Sequence, residues 1–584
     1  MNTRQFKISF GLTVLIILAG CEQHDAVVKE SPTAAKPVAD IVEQVISEPA
    51  KEFAIAIPEV HAAEAVRKVL ASGGNAVDAA VAAGFALAVT FPEAGNIGGG
   101  GFMLARMNGH LSFLDYREKA PLAASRDMYL DAAGKMVENS SLIGTRAAGV
   151  PGTVAGLWQA HQKYGSKPWS ELLEPAIELA KNGYIVDPKT AGTIAETVEW
   201  FDGQVNFEQH FGVMQKGGLF KQPSLADTLA RLAVEGPSDF YKGETAKLIV
   251  AEMQRGGGLI TAQDLAAYQA VWRAPISAQW REYTVVSAPP PSSGGFAVIQ
   301  LLKMKELLRN EFAGVEHNSA AYVHLIAEME KRVFADRAKY FGDPDFVNVP
   351  IDQLISDAYI ARRASEVNLT AISDLGDVKP GLNTPSTTHF SIIDQWGNAV
   401  SNTYTINWAF GSGVVVEGAG FLLNNEMDDF STKAGMPNVY GVVGGVANEI
   451  QPSKRMLSSM SPTLLIKDDK VDMVVGTPGG STIFTSVFQA IVNIKDFGMT
   501  AEQAVAASRF HHQLLPPELI TESISLPLPE KTKLALLELG YRVEPHAWEF
   551  GDLQVITQSD GRLTAASDPR GIGASFVMEI APSQ

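Results

Sequence analysis

Between Glu59 and Val89 apolar residues recur at helical spacing, first at Ala62, Ala65, Val66, Val69 and Leu70, until Gly73-Gly74 breaks the period. A glycine pair suits the left-handed stop of a helix. Asn75 then opens an Ala/Val-rich segment that is apolar nearly all round, which predicts a buried helix. Beyond the glycine run Gly98 to Gly101 the pattern becomes that of strands. FMLARM and the stretch His110 to Arg117 flank Asn108-Gly109, a dipeptide favoured in two-residue hairpin turns. The four glycines are followed by a strand and by no Gly-Lys-Ser/Thr, so they read as a close backbone crossing and not as a phosphate cradle.

From Gly144 to Glu282 the pattern is mainly helical, including Trp169–Asn182 and Asp239–Gly256. A Pro-rich turn, Ala288 to Gly295, precedes helices expected at Phe296–Arg309 and Ser319–Tyr340. On the last of these Glu328, Glu330, Lys331, Arg332, Asp336 and Arg337 mix signs, which predicts a solvated or salt-bridged face. No period of repeat length recurs. Residues from Ala371 to Ser386 shift to Gly, Asp, Pro, Asn and Ser, the composition of a loop where cleavage is tolerated. Period-two alternation resumes at once in HFSIID and, past a turn at Gln395 to Asn398, in AVSNTYTIN. Thr387 therefore stands at a strand entrance directly behind a breakable segment. Local pattern leaves Ser-Thr-Thr-His, Ser386 to His389, open to two readings: a hydrogen-bonding hydroxyl cluster or a nucleophile.

Composition narrows the partners. The 584 residues, 46% hydrophobic and 19% charged, are those of a globular protein with more than one domain or one large one. With 47 Lys+Arg against 65 Asp+Glu the net charge is −18, which argues against nucleic acid as a partner. Cys21 is the only cysteine, so neither an intramolecular disulfide nor cysteine catalysis is available. Arg4 and Lys7 precede an apolar run, Ile8 to Leu18, too short to span a bilayer; residues 1–20 read as an export signal. Leu18-Ala19-Gly20-Cys21 resembles the bacterial lipobox, in which the cysteine is acylated; a conventional cleaved signal with an incidental cysteine is the alternative. Residues 21–52 read as a flexible tether able to reach roughly 100 Å when extended. On the lipobox reading, with Glu22 next, the protein is an exported lipoprotein held at the outer membrane by its lipid alone and facing the periplasm.

The motifs TTHFSIID, NTYTIN, GFLLNNEMDDF, KRMLSSMSPT, GTPGGS and SRFHHQ follow one another in order, with GGNAVDAAVA, GGGGFM, DYREKAP and APPPSSGG upstream. Together they resemble the gamma-glutamyltransferases, members of the N-terminal-nucleophile hydrolases, over nearly everything after the tether. The resemblance implies an α+β fold, a four-layered αββα sandwich built from two fragments of one autocleaved precursor. The cut falls between Ser386 and Thr387, giving a large subunit, 53–386, and a small one, 387–584. Thr387 would then be the nucleophile, activated by its own α-amine, whose reference pKa is about 7.7 to 8.0.

Position by position, the resemblance makes Thr405 the support of that hydroxyl and gives Asn407, Glu426 and Asp429 the donor's α-ammonium. Arg117, by itself only a charge at a strand end, joins Ser458 and Ser459 around the α-carboxylate, where a guanidinium binds bidentately. Gly479 and Gly480 match an oxyanion hole. Tyr440 falls in a segment, Pro437 to Pro452, that resembles a substrate lid. The implied reaction cleaves γ-glutamyl amides such as glutathione through a threonine ester, passing the acyl group to water or to an amino acid or peptide. It needs no cofactor, and the adjacent His511-His512 lack the spacing of zinc ligands. The alternatives are a cephalosporin or glutaryl acylase of the same fold, whose substrate has no α-amino group, and a non-catalytic binding lipoprotein. Trp408, where many relatives carry a smaller residue, departs from the pattern and bears on the acceptor side. The lipobox is a second departure.

Overall fold

A computed structural model describes residues 52–374, 387–431 and 445–579. The export signal, Cys21, the tether up to residue 51, Ser386 and Tyr440 lie outside the described residues. Strand alternation decides the layering. Along the strand Glu52–Ile57, Phe53, Ile55 and Ile57 join one core while Ala54 and Ala56 join another, as the two faces of a pleated strand require. The larger residues pack against the helices Val60–Ala71, Ala76–Thr90 and Trp169–Asn182. The alanines meet a second sheet, whose Val286, Leu464 and Val474 face them while Val285, Leu465 and Met473 face the helices Gly294–Leu307, Ala320–Tyr340 and Ile483–Lys495. Helices, sheet, sheet, helices: the protein is an αββα sandwich with a core between each pair of layers.

Among the described residues the first sheet has seven strands in the order Ala574–Glu579, Glu52–Ile57, Thr387–Ile393, Ala399–Thr405, Gly100–Met107, His110–Asp115 and Val271–Arg273. The second has six: Arg562–Ser567, Gln554–Ser559, Lys470–Gly476, Thr463–Lys467, Tyr283–Ser287 and Ile276–Trp280. Neighbours in both are antiparallel. Thr387–Ile393 lies near the middle of its sheet: Ser391 to Ile393 are paired on both sides, while Thr387 to Phe390 are paired with Ala399–Thr405 alone.

Several expectations are met in detail. Asn108 and Gly109 both have positive φ, 51° and 80°, and join Met107 to His110 in a tight hairpin. Asn75 caps a helix whose 15 residues are all buried. The glycine run is a backbone crossing: a Cβ on Gly98 would lie 2.1 Å from Leu422 O and one on Gly99 2.0 Å from Thr405 O.

One expectation is corrected and one is narrowed. Asp239–Gly256 is two helices, Pro237–Lys242 and Glu244–Gly256, because the Asp239 carboxylate accepts hydrogen bonds from Glu244 N (3.1 Å) and Thr245 N (3.3 Å) and so caps the second one. Of the two faces expected for the charged residues of Ala320–Tyr340, the solvated one is excluded and the salt-bridged one is found, inside the protein. Glu328, Glu330 and Lys331 are 0% exposed, because the helix is covered on all sides. The charges of Glu328 and Lys331 are met internally, with Glu328 accepting from Lys331 Nζ at 2.7 Å and Arg332 Nη1 at 2.6 Å, whereas burial pushes Glu330, which accepts from His512 N at 2.9 Å, well above the usual carboxylate range.

Candidate active site

The antiparallel register sets Thr387 directly opposite Thr405, and the two hydroxyls are 3.4 Å apart. The same Thr405 Oγ1 accepts from Asn407 N at 2.7 Å, which pins the chain where it turns out of the strand. Asn407 has φ 74°, a left-handed conformation that asparagine tolerates better than most residues. Its side-chain amide donates to Asn425 O at 3.0 Å, and Asn425 Oδ1 accepts from Trp408 N at 3.0 Å. The segment Glu426–Asp429, a short helical turn, is thereby tied to the end of the nucleophile's hairpin.

Arg117 approaches from the end of the strand His110–Asp115, with its backbone N donating to Asp115 Oδ1 at 3.0 Å. Its guanidinium pairs with Glu426 and Asp429, donates to Leu457 O at 3.2 Å, and lies 3.6 Å from Glu118. Burial opposes the Arg117 charge, but the carboxylates of Glu426, Asp429 and Glu118 outweigh it and raise its pKa. Burial pushes Glu426 well above the usual carboxylate range and raises Asp429 too, with Arg117 only partly offsetting this. Ser459 Oγ accepts from Arg337 Nη2 at 3.2 Å, and Ser458 Oγ from Met460 N at 3.1 Å.

Thr387, Thr405, Asn407, Arg117, Glu426, Asp429, Ser458, Ser459 and Gly480 line one cavity, joined by Arg337. The free volume is only about 20 Å3. The ion pairs of Arg117 with Glu426 and Asp429 occupy most of this space, so its charges are already compensated within the protein. Gly479 and Gly480 open a turn into the helix Ile483–Lys495, with φ 134° and 54° that other residues reach only under strain. Gly479 and Pro478 line a second cavity on another side of Thr387, with Glu93, Lys189, Asp552 and Arg570. Thr387 is thus shared by two cavities, one of them lined by Arg117 paired with Glu426 and Asp429.

A family comparison decides the affiliation: the gamma-glutamyltranspeptidase family profile matches residues 62–578. The chain belongs to the gamma-glutamyltranspeptidase family. It is 57% identical over 526 residues to the glutathione hydrolase proenzyme of Pseudomonas aeruginosa, covering 90% of this chain and 94% of that one. Among solved structures, a chain of the gamma-glutamyltranspeptidase from Pseudomonas nitroreducens complexed with L-DON is 55% identical, covers 54% of this chain and 95% of its own, and superposes with a TM-score of 0.54. The cephalosporin acylase from Bacillus halodurans is 27% identical over 90% of this chain and 96% of its own, with a TM-score of 0.78. As a gamma-glutamyltranspeptidase the protein is an enzyme, and its αββα sandwich is that of the N-terminal-nucleophile hydrolases.

Several cavity residues of this gamma-glutamyltranspeptidase have no signal in sequence. Arg337 belongs to a helix whose mixed charges suggested a solvated or salt-bridged face and not a cavity wall. Glu93, Lys189, Asp552 and Arg570 come from distant parts of the chain and meet only in the fold. Trp408 stacks on Trp200, ring centroids 5.4 Å apart. His511 and His512 are core residues: Nδ1 of His511 is 3.0 Å from Thr485 Oγ1, Nε2 of His512 is 3.0 Å from Pro517 O, and burial lowers their pKa values to about 4 and about 3.

Proposed function

We propose that the chain is a self-processing γ-glutamyl hydrolase and transferase. The observation that carries this reading is the position of Thr387 between a charge-paired cavity and a second cavity beside Gly479. The γ-glutamyl head enters the first: its α-carboxylate takes over the Arg117 guanidinium, and its α-ammonium takes Glu426 and Asp429, with Asn407, Ser458 and Ser459 completing the grip. The γ-carbonyl then lies at Thr387. Thr387 Oγ attacks the carbonyl carbon while its proton passes to the α-amine of the same residue. The oxyanion faces the backbone N–H groups of Gly479 and Gly480. As the intermediate collapses, the C–N bond breaks and the leaving amine takes the proton from the ammonium, leaving a γ-glutamyl ester. Water, or an amino acid or peptide amine entering by the second cavity, reverses these steps and frees Thr387.

The free α-amine requires a break before Thr387. The related Pseudomonas aeruginosa protein is a proenzyme by name, which supports processing into fragments 53–386 and 387–584 that stay together in one sandwich. Glutathione is the proposed donor, by analogy with the names of these relatives. Lipidation at Cys21 and a periplasm-facing outer-membrane location belong to the same proposal. Loss of lipid labelling in Cys21→Ala tests them. For the enzyme itself, denaturing gels of wild type should show two fragments and γ-glutamyl release from an anilide, and Thr387→Ala one uncut, inactive chain. A single full-length band from fully active wild type refutes the scheme. The acylase match favours one rival, a donor lacking the α-amino group, and the carboxylates of Glu426 and Asp429 weigh against it.

A further inference from the structure

An amine acceptor asks more of the enzyme than water does. The nitrogen of an ammonium loses two protons on becoming an amide, whereas water loses one on becoming a carboxyl group. The α-amine of Thr387 handles one proton, which it returns to the departing Thr387 oxygen. The other needs a second base within reach of the ester.

The second cavity, of about 100 Å3, brings Asp552 together with Thr387 and Gly479 on one wall. The segment that carries Asp552 backs the Gly479 turn, since a Cβ on Gly479 would lie 3.8 Å from Gly551 N. Asp552 is the middle residue of a tight turn closed by Leu553 N donating to Gly551 O at 2.8 Å. Its carboxyl accepts from Gln554 Nε2 at 2.9 Å and rests on the bare backbone of Gly571, where an added Cβ would lie 2.5 Å from Oδ1. It forms no ion pair among the described residues. The charged groups around it are engaged with others: Lys189 Nζ donates to Arg570 O, Arg570 Nη1 to Asp568 Oδ1 at 3.0 Å, Arg509 pairs with Asp568, and Glu549 accepts from Ser523 Oγ at 2.6 Å. Glu93 is the other carboxyl of this wall; burial raises it and Lys189 lowers it.

Asp552 keeps part of its surface open. Burial of the rest, with Asp568 and Glu93 nearby, pushes its carboxyl up to about 8, and Lys189 and Arg509 offset this only in part. A peptide's α-amino group has a reference value of about 7.7 to 8.0, so a proton passes between the two at little cost.

We propose that Asp552 is the base of the transfer half-reaction: it receives the acceptor's ammonium, takes one proton from it and leaves the neutral amine to attack the γ-glutamyl ester. The inference rests on the acyl-transfer reading above. In this step the bond from the acceptor nitrogen to the γ-carbonyl carbon forms and the bond from that carbon to Thr387 Oγ breaks. Of the two protons leaving nitrogen, one reaches Thr387 Oγ through the α-amine and the other stays on Asp552 until solvent takes it. Water needs only the first route.

The test uses the processed enzyme as wild type, Asp552→Asn and Glu93→Gln, with one γ-glutamyl anilide as donor and two acceptors at about pH 7.5. Glycyl-glycine is mostly an ammonium there, and hydroxylamine is neutral. The readout is the ratio of kcat/KM for glycyl-glycine to that for hydroxylamine within each enzyme, which cancels any loss common to both. In Asp552→Asn the ratio should fall roughly 10- to 150-fold below wild type, the worth of a hydrogen bond to a charged group. The gap should close above about pH 8, where glycyl-glycine is neutral in solution. Asp552→Ser should show the same fall, should asparagine disturb the turn. A ratio unchanged in both Asp552 variants, a gap that stays constant to about pH 10, or a fall in Glu93→Gln alone overturns the assignment while leaving γ-glutamyl transfer in place. Anilide cleavage with transfer to neither acceptor overturns the transfer reading and the assignment together, and absence of anilide cleavage overturns the γ-glutamyl chemistry as well.

Discussion

Replacing Glu426 by glutamine isolates the charge logic of the donor site. The single guanidinium of Arg117 faces three carboxylates, Glu118, Glu426 and Asp429. An entering α-ammonium supplies the second positive charge that Glu426 and Asp429 need once Arg117 turns to the ligand's carboxylate. Glu426→Gln keeps the shape but removes one of the two anionic partners of that ammonium. A hydrogen bond to a charged group contributes about 1.5–3 kcal/mol, and about 1.4 kcal/mol corresponds to tenfold in rate. The expected loss in kcat/KM for a γ-glutamyl anilide is therefore roughly 10- to 150-fold. A glutaryl anilide has hydrogen where the amine would be. Its binding to wild type leaves a buried carboxylate without compensation, and the substitution relieves that, so its kcat/KM should hold or rise. The assay is anilide release from both donors by both enzymes, with thermal midpoints measured alongside to confirm the fold. Equal losses for the two donors would refute the argument, because Glu426 would then act only by holding Arg117 in place.

Further outcomes follow from the same geometry. Thr405→Val removes the hydroxyl that meets Thr387 and accepts from Asn407 N; kcat/KM should fall roughly 5- to 150-fold, about 1–3 kcal/mol for the unmade bonds, and a loss under twofold would end its supporting role. Gly99→Ala drives a Cβ to 2.0 Å from Thr405 O, and denaturant unfolding should show about 1–3 kcal/mol of destabilisation together with reduced activity. Arg337→Met should raise donor KM, because the Ser459 hydroxyl loses its 3.2 Å donor; an unchanged KM for the γ-glutamyl anilide would exclude Arg337 from the site. Burial lowers His389 to about 3, against an ordinary value of 6.5. Between those values the unfolded chain binds the extra proton, so the contribution of His389 is complete above pH 6.5 and is lost on acidification. Stability measured from pH 6.5 to 4 should thus favour wild type over His389→Gln progressively less, by about 1.4 kcal/mol per pH unit, and a constant gap would refute it.

Helix and strand assignments near the site could be read from the chain because their causes are local. Asn108-Gly109 needs only its own φ angles to turn a hairpin, and Asn75 needs only the next few residues to cap a helix. Thr387 at a strand entrance was legible for the same reason, although its choice over other threonines came from the order of motifs and not from periodicity. The failures also have physical causes. Charge along Ala320–Tyr340 left a solvated and a salt-bridged face open because sequence does not show that a helix is covered on all sides, and Arg337 was missed as a cavity residue with it. Asp239 breaks a helix by capping the next one, a hydrogen bond that periodicity does not register.

The sequence by itself determined the helical period from Glu59 to Val89 and the alternation of HFSIID and AVSNTYTIN, while the layered sandwich followed only from the resemblance carried by the order of its motifs. It also placed Arg117, Thr405, Asn407, Glu426 and Asp429, the residues proposed for the donor site, in recognisable segments. Only the tertiary structure decided that Thr387 is shared by two cavities, that Arg117 pairs with two carboxylates there and lies 3.6 Å from a third, and that Glu93, Lys189, Asp552 and Arg570 gather beside Thr387. Periodicity records which face of an element is buried. Which distant side chains meet on that face depends on how the layers pack, and that is a property of the whole fold.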